Sequence, residues 1–155
     1  MKKIFFLAVA LIGFSYAATA QDISKNAIGI RIGDNDGLGT EITYQRGLSD
    51  NNRLEFDLGY RSKNGVNAIK LAGLYQWVWT LDGRFNWYAG AGGGFASISA
   101  GSFDETYIFA AGDIGVEYNF ESPWLVSLDF RPEIGFGDLN DDTGFDVALS
   151  VRYQF

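Results

Sequence analysis

The side chains best suited to proton transfer in this sequence are carboxylates at short, even spacings. Asp113 and Glu117 stand four apart, as do Asp129 and Glu133, with Arg131 between the second pair. Positioned acids of this kind can serve as general acid and base. The chain has no histidine, so a Ser-His-Asp arrangement is ruled out by composition. These acids also share a period-two face with Arg31, Arg131 and Arg152, and a structural ion-pair core accounts for that pattern without turnover. We therefore expect no catalytic residue.

Two further stretches resemble ligand motifs and fail on spacing. In the run from Gly90 to Gly94, a phosphate-cradling turn built on Gly90 and Gly92 would need glycine where Phe95 stands, and no Lys-Ser/Thr follows. In "DLNDDTG", Asp138, Asn140 and Asp142 alternate like the start of a calcium loop, but the sixth position is Thr143 and the twelfth Leu149. No cofactor and no metal are expected; the glycines read as close packing and the acids as a solvated loop.

The segments that must carry these residues start after an export signal. Lys2 and Lys3 precede an apolar run over 4–14 and then Ala18-Thr19-Ala20, the form of a cleavage site. That run is too short for a spanning helix, which takes about 20 residues. The expectation is a cleaved signal peptide over 1–20 and one domain over 21–155. Losing Lys2 and Lys3 takes the formal charge from −7 to −9, which argues against nucleic acid, since that partner selects a basic face. The absence of cysteine leaves neither a disulfide framework nor a lipid attachment point.

Beyond residue 21 no 3.6-residue periodicity occurs. Period-two alternation instead marks eight strands, over 27–34, 38–46, 53–62, 66–80, 85–98, 107–120, 124–137 and 143–155. "DNDG", "SDNN", "KNG", "LDG", "ESP" and "LNDD" supply turn chemistry between them. Most connections are too short for crossovers, so the expected fold class is all-β: a single eight-stranded antiparallel up-and-down barrel. Strands one and two look short. Strand five alternates weakly, and we read Trp87, Ala89, Ala91 and Phe95 as its outward residues. Pro132 cannot donate to a ladder, so a bulge or local break is expected there.

Each strand has an apolar and a polar face, and the orientation of those faces sets the function. In the last strand Phe145, Val147, Leu149, Val151, Tyr153 and Phe155 oppose Asp146, Ala148, Ser150, Arg152 and Gln154. An eight-stranded interior is only just wide enough for side chains to fill it, and the apolar face carries too many rings to fit. The polar face holds the small residues that a crowded concave interior needs, among them Gly29, Gly33, Gly59, Gly115 and Ala148. The charged face therefore points inward. It carries Arg31, Glu41, Arg53, Glu55, Asp57, Arg61, Lys70, Asp113, Glu117, Asp129, Arg131, Glu133, Asp146 and Arg152, expected as a salt-bridged network with trapped water. Outward aromatics gather toward two rims. Trp77, Trp79, Phe85, Trp87, Tyr118, Phe120, Trp124, Tyr153 and Phe155, with Tyr44, define one, and Tyr60, Phe95, Phe136 and Phe145 the other.

With its signal peptide, eight alternating strands and final Tyr153-Gln154-Phe155, the chain resembles the small OmpA/OmpX-like outer-membrane β-barrels of Gram-negative bacteria. The resemblance implies a transmembrane β-strand protein of the cell outer membrane, exported through its cleaved signal. It implies insertion by the barrel-assembly machinery, which reads a terminal strand like that carrying Tyr153 and Phe155. The expected partners are outer-membrane lipid and lipopolysaccharide, and the expected state is a monomer. The function expected is structural or interactive, without catalysis. Alternatives are a narrow porin-like channel and a soluble periplasmic lipocalin-like ligand-binding barrel. In the outer loops over 34–37, 62–65, 99–106 and 138–142, the acids Asp104, Glu105, Asp141 and Asp142 are candidates for bridging lipopolysaccharide through divalent cations.

Overall fold

A computed structural model describes residues 23–33, 39–120, 122–136 and 143–155. The expected leader and the turns over 34–37 and 138–142 lie outside the described residues. Eight strands follow in order: β1 (Asn26–Gly33), β2 (Gly39–Gly47), β3 (Asn52–Lys63), β4 (Val66–Asp82), β5 (Phe85–Ala100), β6 (Phe103–Asn119), β7 (Trp124–Phe136) and β8 (Thr143–Gln154). Each pairs antiparallel with its chain neighbour, and β1 pairs with β8 to close the barrel. Following the pairs once round returns to β1 about ten residues out of step, a shear that tilts the strands by roughly 40°.

The alternation seen in the sequence becomes the two sides of this wall. Among the described residues, thirty large apolar side chains are exposed on the surface, from Ile28 to Phe155, while Arg31, Arg53, Arg131 and Arg152 are at most 1% exposed. In β5 the parity holds as read: Ala91 and Phe95 are exposed, and Asn86, Tyr88 and Ala96 are buried.

β1 and β2 are the shortest strands, at 8 and 9 residues. β4, β5 and β6 run longer than the sequence suggests, to 17, 16 and 17 residues. The expected loop over 99–106 is mostly strand: Gly101 at φ 65° turns the chain, and Phe103 already pairs with Ala100. The polar run Asp104-Glu105-Thr106 carries no apolar alternation, which hides this strand end from a periodicity reading. The β3–β4 turn uses Asn64 and Gly65 at φ 52° and 80°, the doubly left-handed turn whose twist matches a two-residue hairpin.

Pro132 interrupts its seam without shifting the register. On either side Ala111 pairs with Glu133 and Ile114 with Phe130, whereas Gly112 and Asp113 form no ladder pair with Arg131 and Pro132. Proline has no N–H to donate. A methyl on Gly112 would stand 3.3 Å from Pro132 Cγ, so the glycine accommodates the ring.

Candidate functional site: the charged barrel interior

Alternation turns every second residue of each strand into the lumen, and the shear stacks these residues in tiers. At the end where β1 starts and β8 finishes, Gln154 donates to Asn119 at 3.0 Å and accepts from Ser24, drawing three segments across the opening. Directly above, Arg53 contacts Glu117 at 2.8 Å, donates to Gln76 at 2.6 Å and lies 4.8 Å from the centre of the Tyr88 ring. Asn86 donates to the same Glu117.

The middle tier is built on Glu55. It accepts from Arg152 at 3.0 Å, from Arg131 at 2.9 Å and from Gln45 at 2.6 Å. Arg152 also donates to Thr43 and Ser127, and Arg131 reaches Asp57 at 2.8 Å. In the next tier a single guanidinium, Arg31, meets three carboxylates: Asp129 at 2.6 Å, Asp146 at 2.7 Å and Glu41 at 2.8 Å. Nearer the far end, Lys70 pairs with Glu133 at 2.6 Å and lies 5.0 Å from the Phe109 ring centre. Arg61 is half-buried at that opening.

Desolvating so many ions is tolerable only when each meets opposite charge and hydrogen-bond partners. Here β1 supplies the arginine for carboxylates on β2, β7 and β8, and β7 the arginine for two on β3. The ion pairs thus tie strands across the lumen as well as along it. Asp113 accepts from Gln76. Asp113 Oδ1, Arg131 Nε and Ser150 Oγ have no protein hydrogen-bond partner among the described residues; buried water typically occupies such places.

The structure places all fourteen charged residues singled out from the sequence on the inner side of the wall, with Arg61, Lys70 and Glu133 toward the distal opening. It adds neutral partners that the charge pattern does not flag: Thr43, Gln45, Gln76, Asn86 and Ser127. It also places Tyr88 inside, fully buried, with its ring over Gly115, where a methyl would stand 2.4 Å from Tyr88 Cζ. The signal for Tyr88 was parity, since it sits between the outward Trp87 and Ala89. A small apolar cluster of Ala72, Leu74, Phe109 and Ala111 interrupts the charges between β4 and β6. Tyr153 and Phe155 stand exposed on the outside, Tyr153 packing edge-on against Trp124 at 5.6 Å. Asp104 and Glu105 point to opposite sides of β6, Asp104 exposed and Glu105 half-buried, so they do not share one site; Asp141 and Asp142 lie outside the described residues.

The arrangement defines a closed up-and-down barrel with an ionic filling and an apolar exterior. Solved structures share this fold. The N-terminal β-barrel domain of Pseudomonas aeruginosa OprF superposes with a TM-score of 0.74 at 15% identity, over 87% of this chain and 100% of that one. Neisserial surface protein A gives 0.62 at 14% identity over 84% and 94%. The attachment invasion locus protein Ail of Yersinia pestis gives 0.54 at 16% identity over 85% and 97%. Neither a family model nor a curated protein sequence matches the chain.

Proposed function

We propose that the protein is an integral β-barrel of a Gram-negative outer membrane, exported through a cleaved signal peptide, with a structural or interaction role and no turnover. The observation that carries this reading is the inverted polarity: isoleucine, leucine, valine and phenylalanine face out while arginines are sealed within. Water around such an exterior would be unfavourable, whereas acyl chains match it.

The limits of the apolar band support the same reading. At the proximal rim Trp79 stacks on Trp87 at 4.4 Å, Phe85 packs on Tyr118 at 4.7 Å, and Tyr118 on Phe120 at 4.7 Å. At the distal rim outward positions change from Tyr60, Ile69, Phe95 and Ile108 to Ser62, Asn67, Ser97 and Thr106, and Thr106 hydrogen-bonds to Ser97. Aromatic rings at both boundaries, with hydroxyl and amide groups beyond Tyr60 and Phe95 at the distal one, suit the two interfaces of a bilayer. In this reading the proximal rim faces the periplasm, the distal hairpins meet lipopolysaccharide, and the assembly machinery reads the strand bearing Tyr153 and Phe155.

Ionic tiers that cross the lumen favour a plug over a porin-like channel, and among the described residues the buried arginines and carboxylates line the interior where a lipocalin-like barrel would be apolar. Gel migration of the membrane fraction, boiled and unboiled, tests the membrane reading. A folded barrel resists detergent until heated and migrates differently; recovery in the aqueous periplasmic fraction would refute it. Planar-bilayer recording is expected to show no steady conductance.

A further inference from the structure

The dipeptide Asn-Gly occurs once in the sequence, at Asn64-Gly65. Lys63 pairs with Val66, so the hairpin between β3 and β4 turns on these two residues, at φ 52° and 80°. Asparagine is one of the few residues that accept the first angle, and glycine takes the second at no steric cost. The turn thus calls for the pair in which a side-chain amide stands next to the least hindered backbone nitrogen.

The surroundings leave that pair open to reaction. The ladder ends at Lys63 and Val66, so neither Asn64 nor Gly65 is part of it. Every residue from Ser62 to Asn67 is exposed, and a methyl on Gly65 would meet nothing within 4 Å. Water therefore reaches the turn freely, and no side chain shields the Gly65 nitrogen. Asparagines of the wall are held differently. Asn86 is buried and donates to Glu117, Asn119 accepts from Gln154, and Asn26 accepts from Tyr44 and Arg46. Each precedes a residue with a side chain, Trp87, Phe120 and Ala27.

We infer that Asn64 is a site of spontaneous deamidation, which leaves aspartate or isoaspartate at the hairpin tip. The Gly65 nitrogen loses its proton to water or hydroxide and attacks Asn64 Cγ. A C–N bond closes a succinimide ring, the Cγ–Nδ2 bond breaks, and the side-chain nitrogen leaves as ammonia. Water then opens the ring at either carbonyl. Cleavage at Cγ restores the ordinary backbone and gives aspartate, whereas cleavage at the backbone carbonyl routes the chain through Cβ and Cγ and gives isoaspartate. Ring closure requires the turn to open, and exposed hairpin tips open most readily. Aspartate tolerates the left-handed conformation and keeps the tip. Isoaspartate adds a backbone atom to a two-residue loop, so the pairing of Lys63 with Val66 is lost. Either product sets a carboxylate beside Lys63. The inference does not depend on what surrounds the barrel.

The test uses the full mature chain, refolded in detergent micelles and aged at mildly alkaline pH in water enriched in oxygen-18. Deamidation during ageing then adds about 3 Da, whereas an event during later digestion in ordinary water adds about 1 Da. Cleavage after Lys63 and Lys70 releases residues 64–70, and fragmentation distinguishes Asn64 from Asn67. Asn64 is expected to gain mass at least about tenfold faster than Asn26, Asn86 or Asn119. Aged protein should also accept methyl groups from an isoaspartyl methyltransferase, and its nitrogen-15 spectrum should show second signals at Lys63 and Val66 with Gly59 unchanged. Asn64→Gln, whose longer side chain closes a ring more slowly, should lose the methylation and the second signals. No mass gain at Asn64, equal rates at all four asparagines, or methylation that persists in Asn64→Gln would overturn the proposal. If the variant misfolds, the comparison among asparagines of the unaltered chain decides alone.

Discussion

At the scale of single residues, inner and outer faces obey opposite rules, and substitutions should separate them. Arg131 is fully buried and serves Glu55 and Asp57. Replacing it with methionine keeps the volume but strands Asp57, while Glu55 keeps Arg152 and Gln45; an uncompensated buried charge of this kind costs about 3–5 kcal/mol. Urea titration of the micelle-refolded protein should show that loss. Lys70→Met should cost less, because Lys70 and Glu133 keep 20% and 12% side-chain exposure, and water there takes up part of the charge. On the outer face Leu149 stands 51% exposed between Leu128 and Ile32. Leu149→Arg is expected to lower folding stability in lipid vesicles by about 2–4 kcal/mol. An unchanged refolding midpoint in vesicles would mean that this face does not meet acyl chains. Both faces were legible from residue type and parity. The partners were not: Arg31 finds Glu41 ten positions away but Asp129 and Asp146 at separations of 98 and 115, and only closure of the ring brings these together.

Among the strands, legibility depended on how sharply each one alternates. β3, β7 and β8 alternate cleanly and lie within one or two residues of their expected bounds, while β6 starts four residues earlier because polar residues continue it past the apolar band. The glycines of β5 blur its faces in the sequence, yet they are what lets β4 and β6 approach; a methyl on Gly92 would stand 2.0 Å from the Gly73 carbonyl oxygen. The seam between β6 and β7 lapses in mid-ladder beside Pro132. Amides exchange fastest where hydrogen bonds are missing, so Gly112 and Asp113 should exchange sooner than their neighbours Ala111 and Ile114. Pro132→Val restores a donor for the facing β6 carbonyl, and the re-formed ladder should slow exchange at this point; equal protection along the whole of β6 would contradict this account.

For the molecule as a whole, stability and closure are one property. The pairing of Ile30 with Val151 joins the first strand to the last, and the tiers inside bind strands that are distant in sequence. Because the natural sequence contains no cysteine, Ile30→Cys with Val151→Cys gives a clean probe of that joint. Oxidation should lock the ring, so that the unreduced protein migrates after boiling as a looped, more compact species and the reduced protein does not. Failure to crosslink in the folded state would place the seam elsewhere.

That same joint governs order in time. An open sheet can add strands one by one and be partly useful at each stage, but a ring has no stable fragment: until β8 arrives, β1 stays a bare edge, ready to pair with any other chain. The protein therefore passes from most to least aggregation-prone in a single last step, and any helper that guards it in transit is needed until the final dozen residues are in place.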